Sequence, residues 1–206
     1  MHLKRQSAIT KLPIPRKGTK FIARASSNLN NSVPVVIALR DILKLANTAS
    51  EVKKMIAQKF LKINSRIVKD SKESISLFNI LEADKPYRLI LLPTGKFSFE
   101  EVKDKDRLCK VMNKTLIKNN NIQLNLHDGS NAISKDSISV GDSIYLDATG
   151  KIKKHVSLEK GKNIAVISGK YTGLKGKIQS KEGNNIHILL ENEKSTTLNK
   201  SQVIAL

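Results

Sequence analysis

The chain has 206 residues, and its 37 Lys and Arg against 18 Asp and Glu give a formal net charge of +19. Self-repulsion at that charge is unfavourable unless a polyanion neutralises it, so nucleic acid or an anionic membrane is the expected partner. No apolar run approaches the ~20 residues that span a bilayer, the N-terminus lacks the apolar core of a signal peptide, and the single cysteine excludes an internal disulfide framework, so a reducing cytoplasm is the expected setting.

Aromatic residues make up only 4%, with no Trp. Single-strand readers rely on aromatic stacking, so this scarcity favours recognition of folded RNA or duplex through shape and phosphates. The first 39 residues carry Lys4, Arg5, Lys11, Arg16, Lys17, Lys20 and Arg24 and no acid. Pro13 and Pro15 block helix and central strand there, and "RASSNLNNSVP" has loop chemistry. Residues 1–34 are therefore expected to be a basic extension that orders only on contact with a partner.

Residues 35–86 hold the helical signal. "VVIALRDILKL" places Val36, Leu39, Ile42 and Leu43 at helical spacing. "TASE" (Thr48 to Glu51) matches a capping box, and the helix it opens has Val52, Met55 and Ile56 on one face, Lys53 and Lys54 on another, and its end near Gln58. In "FLKINSRIVKD" the apolar Leu61, Ile63 and Ile67 flank Asn64-Ser65, a hairpin signal weaker than Asn-Gly. Two short helices and a hairpin make a small unit with a basic side that includes Lys44, Lys53, Lys54, Lys62 and Arg66.

From residue 87 the pattern turns to short strands. "YRLILLPTGKFSFEEV" predicts a hairpin about Pro93 to Gly95, and later breaks fall at Asn119 to Asn121, Asp128-Gly129, Gly141-Asp142 and Thr149-Gly150. Residues 87–160 are expected to form a central β domain. In residues 161–206 five alternating runs ("IAVIS", "GKIQS", "NIHILLE", "TTLNK", "QVIAL") fit a small SH3-like barrel.

The barrel opens with "KNIAVISGKYTGLKGKI", in which Gly169, Gly173 and Gly176 surround Lys170, Tyr171, Lys175 and Lys177. A loop without Cβ atoms lets main-chain N–H groups reach a phosphate while lysines supply charge, and Gly173 is expected where the backbone needs φ > 0 or a close approach to RNA. The loop is not a Walker A sequence, since Gly176-Lys177 is followed by Ile178 and Tyr171 stands at the first glycine position. His2, His127, His155 and His187 are scattered, and with one cysteine they assemble no zinc spacing. Cys109 reads as a buried apolar residue and His127-Asp128-Gly129 as a hairpin turn. The sequence offers no catalytic site, cofactor or small-molecule substrate.

Strand, Gly/Lys loop and strand at the start of a barrel resemble the KOW motif of ribosomal proteins and NusG-class transcription factors. "VIALRDILKLANTASEVKKMIAQKFLKINSRIVKD" is similar to the RNA-binding domain shared with bacterial small-subunit ribosomal protein 4. Together with "HLKR" at His2 to Arg5, "RKGTKF" at Arg16 to Phe21, "RLCKV" at Arg107 to Val111, "LHDG" at Leu126 to Gly129 and "GKI" at Gly150 to Ile152, the whole chain resembles small-subunit ribosomal protein 4 of the archaeal and eukaryotic (e-type) family. The resemblance implies an α+β chain in four parts: basic N-terminal extension (1–34), helix-hairpin RNA-binding domain (35–86), central β domain (87–160) and KOW barrel (161–206). It implies small-subunit ribosomal RNA and neighbouring ribosomal proteins as partners, no membrane, and a place in the cytoplasmic ribosome; the short, unextended chain fits an archaeal member. His2, Lys4, Arg5, Lys11, Arg16, Lys17, Lys20 and Arg24 would join the helix-unit cations and the Gly/Lys loop in binding RNA.

Two departures stand out. "SSNLNNS" replaces the family's Pro/Gly-rich turn, and Ser65 stands where the hairpin usually has glycine. A non-glycine at positive φ costs about 1 kcal/mol, which predicts another turn type at Ser65. Among other functions, an RNA-modifying enzyme carrying the same helix-hairpin domain would need a Gly-Arg-Leu-Asp context or a Gly-rich cofactor loop, and neither is present. A transcription elongation factor would account for the KOW-like loop but not for the helix-hairpin unit or the basic extension.

Overall fold

The computed structural model describes residues 2–117, 121–191 and 194–206. Its strands far outnumber its helices, and it divides into two compact units, Met1–Lys105 and Asp106–Leu206.

In the first unit the basic N-terminal segment is folded, contrary to expectation. Strand β1 (Leu3–Lys4) pairs antiparallel with β2 (Phe21–Ile22), matching Leu3 with Ile22 and Lys4 with Phe21. The intervening loop is organised from within by Arg5. Its guanidinium donates from Nε to the Thr19 carbonyl (2.7 Å), from Nη1 to the Pro15 carbonyl (2.7 Å) and from Nη2 to Thr19 Oγ1 (2.8 Å). Leu12 is buried, Phe97 N donates to the Lys11 carbonyl at 2.8 Å, and Lys96 Nζ donates to the Thr10 carbonyl. A 3-10 turn, Arg5–Ser7, follows β1, and no helix or strand forms around Pro13 and Pro15. A guanidinium fork satisfies the carbonyls there instead of a ladder.

Strand β3 (Ser32–Pro34) pairs with β6 (Ser74–Ser76), and α1 (Val35–Ile37) runs on as a π-helical turn, Ala38–Ile42. Val35 through Leu39 are all buried, so this element is packed on every side rather than amphipathic. It stops before the expected Leu45: Leu43 N donates to the Ala38 carbonyl at 2.9 Å, and Lys44 turns left-handed at φ 56. Helix α2 (Ala49–Ala57) starts where "TASE" predicts. Thr48 Oγ1 accepts from Glu51 N at 3.2 Å, while the Glu51 carboxylate accepts from Asn47 N (2.7 Å), one residue before the N-cap. That bond is the main cause holding the Glu51 carboxyl below its usual range.

Strands β4 (Lys62–Ile63) and β5 (Arg66–Ile67) form the expected hairpin. Its turn keeps positive φ at both Asn64 (49°) and Ser65 (66°), the type I′ geometry that the Ser65 departure argued against. Asn64 is tied to the neighbouring strand through its N–H on the Ile80 carbonyl (2.9 Å) and its Oδ1 on Ile80 N (3.0 Å), which offsets the strain. Strands β7 (Ile80–Glu82), β8 (Pro86–Leu91) and β9 (Phe97–Glu101) complete a five-stranded sheet in the order β5-β4-β7-β8-β9. This sheet runs across the boundary expected at 86/87, and the division between units falls at 105/106 instead.

In the second unit β10 (Arg107–Leu116), β11 (Ile122–Leu126), β12 (Asn131–Ser134), β13 (Ser143–Leu146) and β14 (Ile152–Val156) form one antiparallel sheet, ordered β12-β11-β10-β13-β14. Of the predicted break at Asn119 to Asn121, Asn119 and Asn120 lie outside the described residues. Cys109, Val111, Leu124, Ile144 and Leu146 fill its core. The second sheet comprises β15 (Asn163–Val166), β16 (Lys175–Glu182), β17 (Asn185–Leu190), β18 (Ser195–Asn199) and β19 (Val203–Ala205), ordered β18-β17-β16-β15-β19. These are the five alternating runs read from the sequence. Their inward residues Ile164, Val166, Ile178, Ile186, Ile188 and Val203 form a separate core cluster. Gly176 is required by packing, because a Cβ there would lie 2.5 Å from the Leu189 carbonyl oxygen.

Within this unit Lys110 of β10 reaches the turn before β19. Its ammonium donates to the carbonyls of Lys200 (2.7 Å), Ser201 (3.1 Å) and Val203 (2.7 Å), and the residue is only 3% exposed. Burial pushes its pKa down to about 8.

Candidate nucleic-acid interface

The cations expected to meet RNA separate into those that face solvent and those the protein uses internally. In the N-terminal segment His2, Lys4, Arg16, Lys17 and Lys20 are exposed, and Arg24 is half-buried. Arg5 is committed to Pro15 and Thr19. Lys11 is half-buried, with Nζ on Asn31 Oδ1 at 2.7 Å and 6.0 Å from the Phe97 ring centroid, and burial lowers its pKa. These two residues fold the segment, a role the charge count could not distinguish from phosphate binding.

In the helix-hairpin region Lys44, Lys53, Lys54, Lys62 and Arg66 are all exposed. Lys53 and Lys54 project from α2 away from buried Val52. Arg66 pairs with Glu73 at 2.9 Å, yet its side chain remains 68% exposed, so a phosphate could compete for it.

In the second unit the Gly/Lys loop joins β15 to β16. Tyr171 and Leu174 pack on the core of that sheet, and Lys170 Nζ lies 5.8 Å from the Tyr171 ring centroid. Lys175 and Lys177 alternate with buried Gly176 and Ile178, so both point outward from β16. Among the described residues none of Lys170, Lys175 and Lys177 has a carboxylate within ion-pair distance. Gly173 differs from expectation. It has the positive φ anticipated (88°), but it is buried, and its N–H donates to the Val166 carbonyl at 2.8 Å. That amide closes the turn and does not point at a ligand.

Residues with suspect chemistry are structural. The Cys109 thiol is fully buried, and burial, then the neighbouring Asp128 carboxylate, pushes its pKa up to about 12, where no nucleophilic thiolate forms near neutrality. Asp128 is held by Arg107 (2.6 Å) and accepts from Ser130 N (3.0 Å) in the turn with Gly129. Among the described residues no group of His, Cys, Asp and Glu is placed to hold a metal ion.

The description "Ribosomal family S4e" belongs to the family model that matches residues 83–152. The small ribosomal subunit protein eS4 of Methanocella arvoryzae is 32% identical over 186 residues, covering 86% of this chain and 80% of that protein. The chain belongs to the eS4 family. The eS4 protein of Methanocaldococcus jannaschii is 33% identical over 211 residues, covering 93% of this chain and 86% of its own. The crystal structure of the 30S ribosomal protein S4e from Thermoplasma acidophilum superposes with a TM-score of 0.72 at 25% identity, covering 86% of this chain and 95% of that one. The mixed, strand-dominated fold is thus an eS4 fold. The segment matched by the family model contains Arg107, Lys110 and Asp128, whereas the exposed cations above lie on either side of it.

Proposed function

We propose that this eS4-family chain is a structural constituent of the small ribosomal subunit that binds ribosomal RNA through its exposed cations and supports subunit assembly and translation. The observation that carries the reading is the similarity, across most of the chain, to proteins named as small ribosomal subunit protein eS4. The geometry supports it: exposed cations occur in the N-terminal ribbon, on α2 and the β4–β5 hairpin, and at the Gly/Lys loop, and Lys170, Lys175 and Lys177 are left without carboxylates among the described residues. Phosphates are the natural counterions for such an array.

In this reading residues 35–86 act as the RNA-binding helix-hairpin, and residues 161–206 act as a KOW-type barrel whose lysines, rather than its glycine amide, meet the backbone. Neighbouring ribosomal proteins are the other partners, and the cytoplasmic ribosome is the site of action. No chemistry of its own is proposed. Thr197 Oγ1 lies 2.9 Å from His187 Nδ1, with Glu182 3.6 Å from Nε2, but the Glu182 side chain is 75% exposed and water screens the alignment. The test is binding of the purified chain to deproteinised small-subunit ribosomal RNA over a salt series. Tight binding with a steep negative log–log slope is expected; weak, salt-insensitive binding would remove the reading.

A further inference from the structure

Two phenylalanines stand out as exposed among the described residues, Phe21 at 44% and Phe60 at 52%. They differ in their surroundings. Phe21 lies on the β1–β2 ribbon opposite Lys4, with the His2 ring packed against it edge-on (centroids 4.4 Å apart, planes at 67°) and Lys20 Nζ 5.5 Å from its centroid. A second ring and one ammonium thus converge on one half-exposed aromatic ring, in a segment that Arg5 has already folded. Phe60 has no comparable ring or cation neighbour among the described residues.

A chain carrying so few aromatic rings gains nothing for solubility by leaving one open beside a histidine and two lysines. An unpaired nucleobase matches each part of the arrangement: a π face to stack on Phe21, a second ring at the edge, and lysines for the flanking phosphates. A protein partner would instead need a wider apolar patch, and Phe21 has the Lys20 ammonium 5.5 Å from its centroid and Lys4 opposite it in register. A duplex keeps its bases stacked inside and offers this ring nothing.

We infer that Phe21, His2 and Lys20 form a stacking site for one unpaired RNA base, with Lys20 moving from the ring face to a phosphate as the base arrives. This rests on the ribosomal-RNA reading above and adds a single-stranded element to it. The site is on the preformed β1–β2 ribbon, so the base meets a rigid ring rather than a tail that must be ordered.

The test is photocrosslinking of the full chain to a short single-stranded oligoribonucleotide carrying one 5-iodouridine, which couples to a stacked aromatic ring. Trypsin releases Phe21 in the peptide Phe21–Arg24, which identifies the coupled residue. The expected result is a crosslink on that peptide, reduced by at least about fivefold in Phe21→Leu, as expected when one stacked base is given up, and kept in Phe21→Tyr. The same label inside a duplex should couple weakly. A crosslink that maps to Phe60 alone, that survives Phe21→Leu, or that falls equally in Phe21→Tyr overturns the site while leaving the general affinity for ribosomal RNA intact. If the unsubstituted chain binds neither probe nor ribosomal RNA, the ribosomal-RNA reading fails, and the site fails with it.

Discussion

Gly173 donates its backbone N–H to the carbonyl of Val166 at 2.8 Å, closing the turn between β15 and β16 from the inside. The glycine is needed because φ is 88° at a buried position, and the turn it closes holds Lys170 and Lys175 at the surface. Gly173→Val should therefore act on folding, since a β-branched residue is strongly disfavoured at that φ. A destabilisation of at least about 1 kcal/mol is expected by thermal or chemical unfolding, with the salt slope of RNA binding unchanged under conditions where the variant is folded. A stable variant with a smaller slope would show that the glycine backbone itself meets phosphate.

The lysines should behave in the opposite way. Replacing Lys170, Lys175 and Lys177 together with Ala should leave the unfolding midpoint nearly unchanged, because solvated side chains that have no ion pair among the described residues contribute little. Affinity for ribosomal RNA should fall, and the log–log salt slope should shrink by about 0.7–0.9 for each phosphate the variant no longer neutralises. An unchanged slope would mean that the loop faces solvent or protein.

Lys110 gives a pH-dependent signature. Its folded-state pKa, about 8, lies below the ordinary 10.5, so between these values the unfolded chain binds more protons than the folded one. Stability from this group therefore rises with pH across that window and is flat below it, where both states are charged. Against a Lys110→Met variant, the native protein should gain stability between pH 8 and 10.5. At neutral pH the variant should be less stable by about 2 kcal/mol, since the carbonyls of Lys200, Ser201 and Val203 lose their shared donor. Equal pH profiles for the two proteins would contradict the buried, three-carbonyl geometry.

Arg5→Ala should loosen the N-terminal loop without altering any of the five-stranded sheets. With the bonds to Pro15 and Thr19 gone, proteinase K should cut between Pro13 and Lys20 of the free protein several times faster than in the native chain. Cleavage of the unsubstituted protein at the same rate would support a tail that orders only on RNA.

What the sequence reveals and what it hides follow from the range of each interaction. Helix α2 is legible because Thr48 and Glu51 meet within one turn, and β15 to β19 are legible because alternation is a property of neighbouring residues. Arg5 reads as one more free cation because its acceptors come close only after the chain has doubled back to pair Leu3 with Ile22. Lys110 sits in an alternating strand run with nothing local to mark it, and its acceptors begin 90 residues away. The pairing of β7 with β8 across the expected 86/87 boundary is likewise non-local, as the punctuation at Pro86 resembles a linker as much as a turn. For the candidate interface, composition supplied the cations, and the structure shows that Arg5, Lys11 and the Gly173 amide have hydrogen-bond partners within the protein. Phe21 was hidden by its rarity: low aromatic content argues against a stacking surface but not against a single stacking site.

The most direct measurement is sedimentation of tagged protein in native lysate through a magnesium-containing gradient. The expected result is that it travels with the small ribosomal subunit and stays there through a moderate salt wash, because cations of both units hold phosphates. Protein that remains at the top of the gradient while the subunits are intact would contradict this.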